Sequence, residues 1–318
     1  MRSDYSTVSL DQLGVLRARG PDVVSFLQGQ LSNDLTRLAP DRSLLAGYHN
    51  PQGRVIALLR LLQLAPDDLL ALLPRELITQ VSARLSKFIL RAKVKLADES
   101  PQWRITGLLP PEEPAGNITR HDATAAGFVA ALPAAADAAA RIAATAVVRL
   151  AQEPARWLMV SPASESPVPG IRAAAEPLAW QRLAVAAGEP QVYAATSEQF
   201  IAQMLNLDCL GVIALDKGCY TGQEIIARAH YRGRVKRRMQ RFVTRGAHQL
   251  TPADAGTLTD GRAFNVVDAV QLADGRCEFL AVTSLPGGAA AETTPLAQPA
   301  AASALEADPL GLPYALPG

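Results

Sequence analysis

Residues 53–74, "GRVIALLRLLQLAPDDLLALLP", constrain the fold more than any other stretch of this 318-residue chain. "GRVIALLRLLQL" is too uniformly apolar to show the alternation of a half-exposed strand and reads as a buried one, with "DDLLALLP" as its hairpin partner. "PRELITQVSARLSKFILRAKVKLAD" follows, with Leu77, Val81, Leu85, Phe88 and Ile89 on one helical face and strand-like alternation from Lys93 to Leu96. Strand, strand, helix, strand is the order of an α+β fold, with helices on one face of a mostly antiparallel sheet.

Composition sets the outer limits. The chain is 49% apolar with a net charge of +1, and no apolar run reaches the roughly 18 residues of a membrane span. A soluble chain of two or three domains is expected. The first twenty residues lack the apolar core of a signal peptide, so a cytoplasmic location is expected. Cys209, Cys219 and Cys277 are odd in number and widely spaced, which argues against a disulfide scaffold and against a permanent metal site. Lysine occurs only at positions 87, 93, 95, 217 and 236. The arginine excess matches a GC-rich gene and is weak evidence for a nucleic-acid partner.

Elsewhere the signals are local. "GPDVVSFLQGQLSNDLTRL" predicts two short helices, the second entered through Ser32 and Asn33 as caps. "ADAAARIAATA" predicts a surface helix, "SESPVPG" a break, and "EPLAWQRLAVAAGEPQV" a helix capped by Gly188. From Arg241 short alternating segments are separated by Asp-Gly turns at 260 and 274, the pattern of a small β-barrel or sandwich. An Ala, Thr and Pro tract at 287–308 reads as a flexible insertion.

The chemistry concentrates in "DKGCYTGQE", residues 216–224. Thr221 and Glu224 have the spacing of a capping box. Cys219 then lies just before a helix, where free amides and the positive dipole end favour an anion, and Lys217 adds a cation within reach. The plain alternatives are a small cysteine packed in a tight turn and a glutamate that only caps. "RAHYRGRVKRRMQR", beginning at Arg228, is either a solvated face or a site for an anionic ligand or nucleic-acid backbone. His230 within it either shuttles a proton or sits exposed.

"KGCYTGQE" followed by "ARAHYRGRVKRR" resembles the YgfZ family of folate-binding proteins that assist iron-sulfur enzymes. "FLQGQLSNDL", "GRVIALLRL", "ILRAKVKL", "AGEPQV", "QMLNLDCLGVIALDKGCYTGQE" and "LPYALP" match the family's landmarks in order, over nearly the whole chain. The resemblance implies the arrangement shared with the T-protein of glycine cleavage, a folate-dependent aminomethyltransferase whose α+β domains ring a central pocket. On that pattern the regions are 1–110, 111–240 with the motif, an arrangement that allows these first two to interleave, and a C-terminal barrel at 241–318. The segment matching "GRVIALLRL" carries a pair of aspartates in T-protein, where this chain has Ala57 and Leu58, so no carboxylate stands ready to handle the proton of the folate nitrogen. T-protein also lacks a cysteine at the place of Cys219. A lesser departure is Ala202, where the family usually has proline.

The resemblance therefore implies a tetrahydrofolate-binding accessory protein supporting iron-sulfur cluster assembly or repair in client enzymes, including those that modify tRNA. Cys219 would be the reactive group and Lys217 its activator, with Tyr220, Gln223, Glu224 and Arg228 at the folate. Reduced folate and iron-sulfur client enzymes are the expected partners, and neither a membrane nor direct nucleic-acid binding is expected. Two alternatives stay open: a one-carbon transferase with a different acid or base, and an RNA-binding module using Arg232 to Arg241.

Overall fold

The computed structural model describes residues 5–111, 123–151, 153–165, 171–173, 176–231, 235–285 and 304–317. The chain divides into two units, each assembled from separate stretches. The first takes Met1–Leu27, Leu35–Leu45 and Leu59–Leu183, and the second takes Gln28–Asp34, Ala46–Leu58 and Ala184–Gly318.

In chain order come β1 (Ser6–Ser9), β2 (Leu13–Arg19), α1 (Val23–Gln28), β3 (Leu44–His49) and β4 (Val55–Ala65). The chain leaves the first unit within β3 and re-enters it within β4. β4 and β5 (Asp68–Pro74) form the expected antiparallel hairpin, with Arg60 opposite Leu72. α2 (Ile78–Ser86) buries Ile78, Val81 and Leu85, the apolar stripe its sequence displays. Phe88 departs from that expectation: it lies past the helix end and is 50% exposed. With β6 (Lys95–Asp98) the sheet runs β3-β4-β5-β2-β6.

A second sheet is built from β1, β7 (Trp103–Leu109), β8 (Ala139–Ile142), β9 (Thr145–Ala151), β10 (Arg156–Pro162) and β11 (Arg172–Ala173), in the order β11-β1-β7-β10-β9-β8. α3 (Ala123–Ala130) precedes β8, and α4 (Pro177–Ala186) follows β11. Val15, Leu62, Leu70 and Leu72 pack with Val8, Ile105, Leu109, Val148, Leu158 and Val160 in one core, joined by Trp180 of α4. Each such burial contributes about 1.5–3 kcal/mol. Gly107 makes room for the indole, since a Cβ there would sit 2.3 Å from the Trp180 ring.

The alanine-rich segment at 136–146 corrects the sequence reading. It is no surface helix but the β8–β9 hairpin, with Ile142 opposite Thr145 and Ala143 at φ 53° in the turn. Alanine's helix preference amounts to a few tenths of a kcal/mol per residue, and pairing of Val147 and Val148 with β10 overrides it.

In the second unit, α4 ends as expected at Gly188 (φ 62°), whose N–H bonds the carbonyl of Val185 while that of Glu189 reaches Ala184. α5 (Gln223–Tyr231) follows, then β12 (Arg237–Thr244), β13 (Ala255–Thr257), β14 (Ala263–Gln271), β15 (Cys277–Ser284) and β16 (Ala307–Leu310). These strands form one sheet, β13-β14-β15-β12-β16, over a core in which Phe242 stacks on Phe279 at 5.5 Å. The Asp-Gly turns are present, with Gly261 and Gly275 at φ 85° and 82°. Among the described residues the edge strands share no ladder, and a single parallel bridge links Leu258 to Leu305 beside them. Residues 287–303 of the expected insertion lie outside the described residues, but its last residues belong to β16. Residues 166–170 of the expected break are also outside them.

Candidate functional site

The motif at 216–224 lies in the second unit, clamped at both ends. At the first clamp, the Lys217 ammonium donates to the carbonyls of Gln28 (2.6 Å), Leu31 (2.7 Å) and Asn33 (2.8 Å). An ammonium has three donors, and all three are committed. Lys217 therefore has no donor left for a hydrogen bond to a thiol. Burial pulls its pKa down to about 8, with Asp34 acting in the opposite sense. Ser32, expected as a helix cap, instead accepts the Gly47 N–H and donates to the Val212 carbonyl. The helix it was to open is a three-residue 3₁₀ turn at Leu35–Arg37.

The second clamp is Gly222. Its φ is 83°, and a Cβ would lie 2.5 Å from the Asn50 carbonyl oxygen and 3.1 Å from the Cα of Gly53. Only glycine accepts both the left-handed conformation and that approach. The Gly222 carbonyl accepts the first intrahelical bond of α5, from Ile226 N–H, which puts Gly222 and not Thr221 at the cap. The expected capping box therefore does not form: the cap shifts by one residue to a glycine, which has no side-chain oxygen, because close backbone packing decides where the helix starts. Gln223 reaches back to the Lys217 carbonyl at 3.4 Å.

Between the clamps, Gly218 and Cys219 are exposed. Tyr220 turns inward instead: it is 6% exposed, with Lys217 Nζ 5.2 Å from its ring centroid and the His49 ring tilted against it at 6.3 Å. Burial raises its pKa to about 12. His49 was not singled out in the sequence, although a lone histidine closing the apolar "LLAGYH" ahead of "NPQG" was a usable signal. Burial lowers its pKa to about 3, so the imidazole is neutral. Both its nitrogens and the Tyr220 hydroxyl are buried without a partner. Such atoms cost about 1–3 kcal/mol each, and they mark where an ordered water or a polar ligand group belongs.

On α5, Glu224 and Arg228 are exposed one turn apart on the same face, and Gln223 is half-buried. His230 is exposed and lies edge-on to Tyr231 at 5.0 Å. The basic stretch beyond it proves heterogeneous. Residues 232–234 lie outside the described residues, and the arginines of β12 are engaged: Arg237 with Asn265, Arg238 with Asp208 and Arg241 with Glu278. Cys209 meets Arg238 Nη1 at 3.8 Å. Burial first, and Asp208 second, push that thiol up to about 11. Ala57 and Leu58, in β4, are fully buried. Among the described residues there is no cluster of metal-ligating side chains, and no helix is long and apolar enough to cross a membrane.

No model of a known protein family matches the chain. It is similar to the tRNA-modifying protein YgfZ of Serratia proteamaculans, 31% identical over 84% of this chain and 81% of that one. The tRNA-modifying protein YgfZ of Escherichia coli O157:H7 is also 31% identical, over 86% and 84% of the respective chains. Among solved structures, glycine cleavage system aminomethyltransferase T from Bartonella henselae matches with a TM-score of 0.64, covering 89% of this chain and 79% of that one. At 14% identity this likeness speaks to the fold alone.

Proposed function

The chain belongs to the YgfZ family, and from that premise we propose that it is a tetrahydrofolate-binding accessory protein in tRNA modification that supports iron-sulfur cluster assembly or repair in client enzymes. The observation that carries the reading is the "KGCYTGQE" loop, tied down at Lys217 and Gly222 and presenting Cys219 to solvent between them. A thiol meant only for packing would be turned inward, as Cys277 is.

The residues present fit a reduced folate. Arg228 supplies an exposed cation for the carboxylates of its glutamate tail, and Gln223 and Glu224 offer the donors and acceptors a pterin edge requires. The unpartnered Tyr220 hydroxyl and His49 nitrogens are further polar atoms suited to a ligand. Bound folate supplies one-carbon carrier chemistry. Lys217 holds the loop that orients Cys219, and Cys219 is the reactive group toward clients. Aminomethyl transfer fits less well, because the positions resembling the transferase's aspartates are the buried Ala57 and Leu58.

Calorimetric titration with tetrahydrofolate and its methylene derivative tests the ligand. Saturable binding is expected, weakened about tenfold by Arg228→Ala, in line with loss of a charge-assisted bond. Absence of saturable binding of any reduced folate sinks the reading. Cys219→Ser should fold and bind folate like wild type yet fail to support client maturation in cells.

A further inference from the structure

We propose that residues 87–95 of the first unit form an RNA-binding surface for unpaired nucleotides of a structured RNA such as tRNA, built from none of the residues proposed to hold folate. Residues 84–97, "RLSKFILRAKVKLA", contain five basic side chains and no acidic one. Three of the chain's five lysines fall here, within nine residues, although its other 26 basic residues are arginines. Drift in gene composition, which explains the arginines, does not explain this concentration.

The fold turns these cations outward. Arg91, Lys93 and Lys95 are exposed and alternate with half-buried Ala92, Val94 and Leu96, so the three share the solvent side of the segment. Lys87 is exposed at the end of α2. Among the described residues none of these four forms an ion pair; Asp22 accepts only the backbone N–H of Lys93. Like charges held together without counter-charges repel, and a bound polyanion relieves that repulsion by releasing its own counterions.

Phe88 and Leu90 stand among the cations, 50% and 87% exposed. Two partly exposed side chains provide less apolar area than one myristoyl chain, which by itself anchors a protein to a membrane only marginally. A nucleic acid uses both parts of the patch: phosphates meet the cations, and a base face stacks on Phe88. Duplex RNA keeps its bases stacked inside the helix, so the aromatic ring selects unpaired nucleotides. The arginines of β12, engaged within the protein, supply no equivalent surface.

Binding of unfractionated tRNA to the full chain, followed by fluorescence anisotropy between 50 and 200 mM salt (the range over which about 10³–10⁵ in affinity is lost for six to ten phosphate contacts), tests this. The variant Arg91→Ala/Lys93→Ala/Lys95→Ala should reduce the log-log salt slope by about 0.7–0.9 per cation removed. Phe88→Ala should weaken binding about 5- to 100-fold with the slope unchanged, and Phe88→Tyr should restore it. Circular dichroism and reduced-folate titration of every variant should match wild type, which keeps this outcome distinct from the folate reading. The proposal is overturned if wild type shows no saturable tRNA binding at the lowest salt, or if the variants bind tRNA as wild type does. It is also overturned if they lose binding to phosphatidylglycerol vesicles while tRNA binding persists.

Discussion

Two cysteine neighbourhoods of the second unit, ten residues apart in sequence, hold a cation in opposite ways. Around Cys209 the cation is Arg238, 4% exposed and held by both carboxylate oxygens of Asp208 at 2.9 and 2.8 Å. Burial disfavours the arginine's charge, but the carboxylate more than offsets it and the pKa rises. In the Cys219 loop the cation is Lys217, held by three neutral carbonyls, and there burial wins. A full counter-charge keeps a buried cation charged, whereas dipoles hold its position without fully compensating its desolvation. The first arrangement makes a fixed structural joint with an inert thiol. The second fixes a backbone loop and leaves its thiol outside.

Removing the counter-charge should break the first arrangement and give the largest effect. Asp208→Ala is expected to cost about 3–5 kcal/mol, because it leaves Arg238 buried and unpaired. Lys217→Met, which strands neutral carbonyls rather than a charge, should cost less, about 1–3 kcal/mol. Urea unfolding of both variants compares them, and equal costs would erase the distinction drawn between carboxylate and carbonyl holding.

Next in size is an acid effect behind the loop. The unfolded chain protonates His49 below its ordinary value near 6.5, while the folded chain resists until about 3. The unfolded state then binds more protons, so stability falls as pH drops from about 6.5 to 3, by up to roughly 5 kcal/mol. His49→Gln should flatten that part of a denaturation-against-pH curve. An unchanged curve would mean that the imidazole is hydrated in solution.

Alkylation separates the thiols more gently. With iodoacetamide near neutral pH and mass-spectrometric assignment, Cys219 should react at least about tenfold faster than Cys209 and Cys277, since it alone is exposed. Faster labelling of Cys209 would contradict the joint described for it.

The smallest effect lies at alkaline pH. Folded Lys217 releases its proton near 8, but the unfolded chain keeps it to about 10.5. The unfolded state again binds more protons, so stability should rise with pH across that window, modestly because the amine is partly solvated. Lys217→Met should remove this rise; if the rise persists, another group causes it.

Where elements depend on neighbours in sequence, they were legible. The β4–β5 hairpin, the buried stripe of α2 and the Gly188 helix end follow from hydrophobic period and backbone preference. That Lys217 and Cys219 lie just ahead of a helix was legible in the sequence too. What each does was not legible, because the partners of Lys217 lie 184 to 189 residues away. Phe88 was misread because the helix ends before the apolar period does, and 136–146 because alanine is neutral enough to follow its strand partners.

The sequence by itself determined the α+β class, the apolar strands, the turns that need glycine and the loop that carries the thiol, since these depend on contacts within a few residues. Folding decided which cation is caged and which is paired. It also decided that Tyr220 and His49 meet inside and that Gly222 caps α5 against Asn50. Those outcomes depend on which distant backbone atoms come within about 3 Å, the range over which hydrogen bonding and desolvation set the state of a charge.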